Sequence, residues 1–319
     1  MKKSLFGLYA LCLLLSTAFL SSCDDDNEVS SADLNIVEFA QSDDNFSMLV
    51  DAVIKADLVE TLSGNGEFTL FAPTNEAFQA FLDLAGTGTV AATPANVLAQ
   101  VLTNHVIAGE LFAADLTTGY ASTLSATTFG NNVTASIFIN TDGGVTINGT
   151  SNVDQANVDV SNGVIHVIDA VIAPPTLVTF ALADPNFSSL VAALTATGLT
   201  TDFVSVLNGD GPYTVFAPTN TAFQALLDSN SDWNTIADIP VATLEAVLLY
   251  HVTAAGNVRA AQLSNGQQVT TLSNNASFSI DLTGTLPMII AGSNEAMIIA
   301  TDVQATNGVI HAIDAVILP

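Results

Sequence analysis

The sequence predicts an α+β protein built from two copies of one domain. The first observation is a repeat. Phe71-Ala72-Pro73-Thr74-Asn75-Glu76-Ala77-Phe78-Gln79-Ala80 recurs as Phe216-Ala217-Pro218-Thr219-Asn220-Thr221-Ala222-Phe223-Gln224-Ala225, and Asn162–Ile172 recurs as Asn307–Ile317. Both blocks repeat at an offset of 145 residues (73 to 218, 166 to 311), and the segments Asn45–Val50 and Asn186–Val191 match as well. The second observation is helical spacing of apolar residues where each copy begins. The third is a nearly continuous apolar strand where each copy ends. A period this long describes globular domains rather than a solenoid. The domains are expected over 34–174 and 175–319, with Pro174-Pro175 as a short, stiff boundary.

Each element follows from local pattern. Phe39, Phe46, Leu49, Val50, Val53 and Ile54 recur at helical spacing, which predicts helix around 36–59. Phe68-Thr69-Leu70-Phe71 reads as a strand. Pro73 ends it, because proline removes a ladder donor and restricts its predecessor. Thr74 or Asn75 then caps a helix by accepting from a free N–H, and that helix carries Phe78, Phe81 and Leu82 on one face. Thr93-Pro94 starts another, with threonine as cap and proline at the first helical position. Ile137–Ile147 reads as a hairpin turning at Thr141-Asp142-Gly143-Gly144. Asn162-Gly163, like Asn307-Gly308, makes a tight turn into the last strand, Val164–Ile172. A strand that apolar is covered on both faces, so it belongs at the centre of its sheet.

The chain's first residues predict its compartment. Lys2 and Lys3 precede an uncharged apolar run, Ser4–Leu20, too short for a comfortable membrane span. That is the layout of a secretory signal peptide, expected over residues 1–22. The run ends in Leu20-Ser21-Ser22-Cys23, which resembles a lipobox and makes Cys23 the expected lipid-attachment site, with palmitate-like acyl chains. Each buried methylene contributes about 0.8 kcal/mol, so one chain of about 16 carbons supplies on the order of ten. Residues 23–33 form an acidic tether, and Asp24-Asp25-Asp26 directly after the cysteine resembles a surface-export signal of bacterial lipoproteins. The expected location is the outer membrane of a cell envelope, facing outward, with membrane contact through the anchor alone. Cys12 leaves with the leader, so the mature chain has no free thiol and no disulfide.

Charge narrows the partners. Once the leader is removed, Lys55 and Arg259 face 31 acidic residues, leaving a formal charge of −29. Nucleic acid is excluded as a partner, because neutralising phosphates needs clustered Lys and Arg. Repulsion from anionic surfaces fades at high ionic strength, where the Debye length is a few ångströms.

Two blocks carry a family resemblance. Phe68-Thr69-Leu70-Phe71-Ala72-Pro73-Thr74-Asn75-Glu76-Ala77-Phe78 resembles the first signature of the fasciclin domain, and Asn162-Gly163-Val164-Ile165-His166-Val167-Ile168-Asp169 resembles the second. Both signatures recur in the second copy, through Pro218, Thr219 and Asn220 and through Asn307, Gly308, His311 and Asp314. Asn104-His105 and Tyr250-His251 fall where the family has its Tyr-His pair. The resemblance implies a wedge-shaped β-sandwich of about seven strands with a cluster of helices. It also implies a cofactor-free extracellular module for adhesion and matrix contact, with extracellular matrix, a cell-surface protein or a polysaccharide as partner. By the same resemblance Tyr250 and His251 are candidate partner-binding residues, with Asn104 and His105 at the corresponding places of the first copy. Asn104 departs from the family's tyrosine. Asn157 also stands where the second copy has Asp302.

The chemistry-bearing residues admit two readings. All four histidines lie in repeated motifs, so His105 with His166, and His251 with His311, could each start a metal site with Asp169 or Asp314. Zinc wants three or four ligands, and residues three apart in a strand point to opposite faces. A buried histidine bonded to backbone suits an apolar strand better, so no metal is expected. The sequence contains no G-x-S-x-G, H-E-x-x-H, P-loop or dinucleotide fingerprint, and no catalytic residue is assigned. Asp142-Gly143-Gly144 and Asn208-Gly209-Asp210-Gly211 read as turns rather than calcium loops. A glycan-binding role in nutrient uptake would need an exposed aromatic platform, for which Trp233 and Tyr213 are the candidates.

Overall fold

The structure is a computed structural model and describes residues 30–319 apart from Asn131 and Asn275. The leader, Cys23 and the acidic run after it lie outside the described residues. The helices of the first half are α1 (Ile36–Ser42), α2 (Ser47–Lys55), α3 (Val59–Ser63), α4 (Asn75–Leu84) and α5 (Ala95–Asn104). Its strands are β1 (Phe68–Pro73), β2 (Val106–Ala108), β3 (Gly119–Ala126), β4 (Thr134–Asn140), β5 (Thr146–Ile147), β6 (Ser151–Val160) and β7 (Gly163–Ile168). The second half repeats the series with α6 (Leu177–Ala183), α7 (Ser188–Leu194), α8 (Phe203–Asn208), α9 (Asn220–Asp228) and α10 (Val241–Tyr250). Its strands are β8 (Tyr213–Pro218), β9 (Val252–Thr253), β10 (Gln268–Thr270), β11 (Ser277–Asp281), β12 (Met288–Ile290), β13 (Glu295–Gln304) and β14 (Gly308–Ile313).

Each half is a seven-stranded mixed sheet, in the orders β2-β1-β7-β6-β5-β4-β3 and β10-β11-β12-β13-β14-β8-β9. Inside each sheet, one strand in from an edge, lies a parallel pair, β1 with β7 and β8 with β14, while the other pairings are antiparallel. Strand alternation sorts the side chains of that pair to two cores. Leu70, Ala72, Ile165 and Val167 pack beneath the helices, whereas Phe71 and Ile168 pack against Ile137, Ile139 and Ile147 of the folded-over strands. The second half sorts Val215, Ala217, Ile310 and Ala312 from Phe216 and Ile313 in the same way. The closing strand is therefore apolar throughout because both of its faces are covered, and all six residues of β7 are buried.

Three elements depart from the sequence-based expectation. The helix over 36–59 is broken into three, because Asp43 adopts extended backbone and its carboxylate accepts from the Asn45 N–H, while Asp57 sits at φ 58°. Helix α5 is preceded by Pro94 in the capping position; Thr93 is buried and its hydroxyl bonds the Thr89 carbonyl. The last strand stops at Ile168, because the Asp169 carboxylate accepts from the backbone and side chain of Asn152 and the chain turns away from the ladder. Elsewhere the pattern holds: Thr74 and Thr219 cap α4 and α9 through the N–H groups of Ala77 and Ala222.

The turn asparagines tie the helices to the sheet. The Asn162 amide donates to the carbonyls of Leu62 and Gly64 at 2.8 and 3.1 Å, and its oxygen accepts from the Ile36 N–H at 2.9 Å. Asn307 does the same with Leu207, Gly209 and Leu177 at 2.7, 2.9 and 3.0 Å. Removing such a side chain breaks three bonds and strands buried backbone groups. Asn307→Ala is expected to cost about 3 kcal/mol. Denaturant unfolding followed by the fluorescence of Trp233, the single tryptophan, checks this. A loss below about 1 kcal/mol, the worth of one ordinary bond, would contradict it.

Candidate functional site

The four histidines are internal braces. In the first domain His105 closes α5: its Nδ1–H donates to the Val101 carbonyl at 2.7 Å, and its Nε2 accepts from the Ile172 N–H at 2.8 Å. His251 repeats this with Val247 at 2.7 Å and Ile317 at 3.1 Å. His166 and His311 use the opposite tautomer. Their Nε2–H groups donate to Leu111 and Val258 at 2.9 and 2.8 Å, and their Nδ1 atoms face the N–H groups of Asn157 and Asp302 at 3.3 and 3.4 Å. Both ring nitrogens of every histidine are thus committed to backbone, leaving no lone pair for a metal. Among the described residues no group of three His, Cys, Asp or Glu is gathered closely enough to hold one. His166 and His311 also stack on Phe71 and Phe216, with centroids 5.5 Å apart.

Asn157 and Asp302 occupy the left-handed region, φ 64° and 61°, where Asn and Asp are the tolerated non-glycine residues. Each side chain accepts a backbone N–H, from Ala113 and Ala260, at 2.7 Å. The exchange of one for the other between the copies preserves this bond. Asp314 braces the Met297 N–H at 2.7 Å, as Asp169 braces Asn152. Asn75 accepts from the Met48 N–H and donates to the Asp44 carbonyl, and Asn220 likewise joins Ser189 to Pro185, so both tie the opening helices to the first residues of α4 and α9.

Burial sets the protonation of these histidines. Desolvation lowers His105 and His251 to about 4, and the backbone acceptors Val101 and Val247 only partly oppose it. His166 and His311 are lowered for the same reason. A histidine held neutral in the native state and free to protonate near 6.5 when unfolded stabilises the fold fully above that value. Stability then falls as the pH drops from 6.5 towards 4, where the unfolded chain binds more protons. Each of His105 and His251 is expected to withdraw about 3 kcal/mol across that window. Thermal unfolding between pH 7.5 and 4.5 should show a steady fall in Tm; a flat profile would contradict it.

The candidate partner-binding residues are not on the surface. Asn104 and His105 are 0% exposed, Tyr250 1% and His251 3%. The Tyr250 hydroxyl donates to the Ser277 carbonyl at 3.0 Å and its ring meets Phe278 edge-on, while the Asn104 amide donates to the carbonyls of Ile172 and Ala173. These four side chains, expected at a partner contact, stand at the ends of α5 and α10 and point into the domain. Trp233 and Tyr213 are half-buried against the second domain's core. Neither is the freely exposed platform that sugar stacking needs.

A junction between the domains was not anticipated from sequence. Tyr120 and Phe138 are cross-strand partners on β3 and β4 and point away from their own core. They meet Phe180 of α6: the Tyr120 ring lies 5.0 Å from Phe138 and 5.4 Å from Phe180, and Phe138 packs into the second domain's core. The Tyr120 hydroxyl donates to Asp184 Oδ2 at 2.9 Å; burial, reinforced by that carboxylate, raises the tyrosine above its ordinary range. Alongside, the Gln304 N–H donates to the Ser136 hydroxyl at 3.0 Å. The signal was present in the hairpin: the outward position between the inward Ile137 and Ile139 carries a large aromatic, Phe138, where a polar side chain would suit solvent.

The sequence matches the family described as Fasciclin domain over residues 44–174 and 185–319. Protein sll1483 of Synechocystis is 46% identical over 144 residues, covering 44% of this chain and 74% of that protein. Human periostin is 31% identical over 206 residues, covering 62% of this chain and 22% of periostin. Rabbit transforming growth factor-beta-induced protein ig-h3 is 30% identical over 271 residues, covering 81% of this chain and 35% of that protein. The chain therefore spans well under half the length of these two animal relatives. Among solved structures, a FAS1 domain pair from the insect cell adhesion molecule fasciclin I aligns with a TM-score of 0.51 at 20% identity, over 84% of this chain and 95% of that one. That likeness is one of fold. Two sheets of the same strand order, two matched signatures and a match over both halves place the chain in the fasciclin domain family, with the domain present twice.

Proposed function

We propose that this chain is a non-catalytic cell-surface protein for adhesion and matrix contact, held to the outer membrane by a lipid on Cys23 and directed outward. The observation that carries this is where the motif residues go. His105, His166, His251, His311, Asp169 and Asp314 are spent on backbone hydrogen bonds that hold the sandwich together. What the molecule offers its surroundings is therefore surface: loops and sheet faces rich in Ser, Thr and Asn, on two domains locked together. The solved pair with this fold belongs to a molecule described as a cell adhesion molecule. The partners in this reading are extracellular matrix, a cell-surface protein or a polysaccharide, with no nucleic acid and no cofactor. The formal charge of −29 makes contact with anionic matrix salt-dependent. Binding of the purified mature chain to immobilised matrix polysaccharide and surface protein, at low and high salt, tests the reading. Saturable retention that strengthens with salt is expected, and no retention at either salt would contradict it.

A further inference from the structure

The junction shows one docking solution in use, and the repeat shows where, among the described residues, half of it recurs without a Tyr-Phe pair against it. On the α6 side it consists of Phe180, Asp184 and the small Ala183, whose Cα lies 3.3 Å from where a Cβ on Gly149 would stand. At an offset of 141 residues (43 to 184) the first domain carries Phe39, Asp43 and Ser42 on α1 and the turn after it. The local geometry is the same: Asp43 Oδ1 accepts from the Asn45 N–H at 2.9 Å, as Asp184 Oδ1 does from Asn186 at 2.9 Å. Asp184 Oδ2 holds the Tyr120 hydroxyl, whereas Asp43 and Phe39 are only half-buried and Ser42 is exposed.

The opposite side of the junction is altered in the second domain. Gln268 and Ser279 form the cross-strand pair on β10 and β11 that corresponds to Tyr120 and Phe138, next to the inward pair Val269 and Phe278. They give that face polar side chains in place of an aromatic pair. Among the described residues a second copy of this chain therefore offers no free pair at this position, since its own Tyr120 and Phe138 are occupied within the molecule. This arrangement lets one end bind and keeps the chain from growing into head-to-tail fibres, the hazard of heterologous contacts.

We propose that the α1 face of the first domain, centred on Phe39, Ser42 and Asp43, docks a β-sheet face of a different fasciclin-type chain that pairs a tyrosine with a phenylalanine across two strands. The tyrosine hydroxyl donates to Asp43 and the aromatic pair seats on Phe39. The inference deepens the surface-contact reading, and its test measures docking alone, so it can fail while matrix binding stands.

The test rebuilds the missing face on the full chain. Gln268→Tyr with Ser279→Phe gives the second domain the first domain's aromatic pair. Sedimentation of this variant is expected to show a weight-average mass rising at least about twofold as concentration approaches that at which modest interfaces form, with the wild type unchanged. Asp43→Ala, or Ser42→Arg at the exposed contact, is expected to return the variant to the wild-type mass. Unfolding midpoints matched to wild type show that each variant is folded. A folded double variant that stays at wild-type mass would overturn the proposal, as would association that both Asp43→Ala and Ser42→Arg leave intact. Wild-type self-association abolished by Ser42→Arg would overturn the choice of partner in favour of a second copy.

Discussion

Replacing Gly163 with alanine is expected to abolish the native first domain. Gly163 lies at φ 144° and opposite Phe68 in the parallel pairing of β1 with β7. A Cβ there would stand 1.9 Å from the Phe68 carbonyl oxygen, and both groups are backbone, so no side-chain rotation relieves the overlap. The two central strands would have to part, which breaks the ladder between the cores on either side. The expected cost is above about 4 kcal/mol, in the range reserved for changes the fold cannot absorb. Gly109 supplies the control: it also has positive φ, 92°, but a Cβ there meets nothing within 4 Å. Gly109→Ala is expected to cost only about 1–2 kcal/mol from backbone strain. Denaturant midpoints by circular dichroism separate the two, and equal losses would contradict the argument from close approach.

Replacing Phe138 with alanine is expected to destabilise the domain to which it does not belong. Phe138 is buried in the second domain's core, beside Phe180 and Phe187. Its truncation should cost about 3–5 kcal/mol, the usual range for a buried phenylalanine. The assay is clean because Trp233, the single tryptophan, lies in the second domain and reports its unfolding. In the wild type the fluorescence transition should coincide with loss of circular dichroism, as for one cooperative unit. In Phe138→Ala the fluorescence transition should move to lower denaturant. If it does not move, the domains are energetically separate and the junction is only contact.

The parts of this fold that local chemistry dictates were legible in the chain. Thr74 or Asn75 read as the cap of the helix after Pro73 because a side-chain oxygen there can accept a free N–H, and Thr74 is the one that does. Val164–Ile172 read as a central strand because a strand without a polar face cannot lie at a surface, although the strand ends at Ile168. The tight turn at Gly163 was equally plain, although its reason, the approach of Phe68, is tertiary. The site was harder. Tyr250 and His251 came from family resemblance, and resemblance carries no burial; Tyr250 is buried because the strand Ser277–Asp281 folds over it, and His251 because it bonds Val247 and Ile317. The break at Asp43 was missed because apolar spacing continues across it, while the carboxylate's bond to Asn45 redirects the chain. The junction was missed because it depends on which way Tyr120 and Phe138 point once two sheets are assembled.

In the proposed function the chain works through what its surface touches. Attachment and aggregation of cells lacking the gene, compared with the parent and with cells given the gene back, measure that most directly. Both properties are expected to fall on deletion and to return when the full chain is restored. Attachment and aggregation that stay at parental levels in the deletion strain would contradict it.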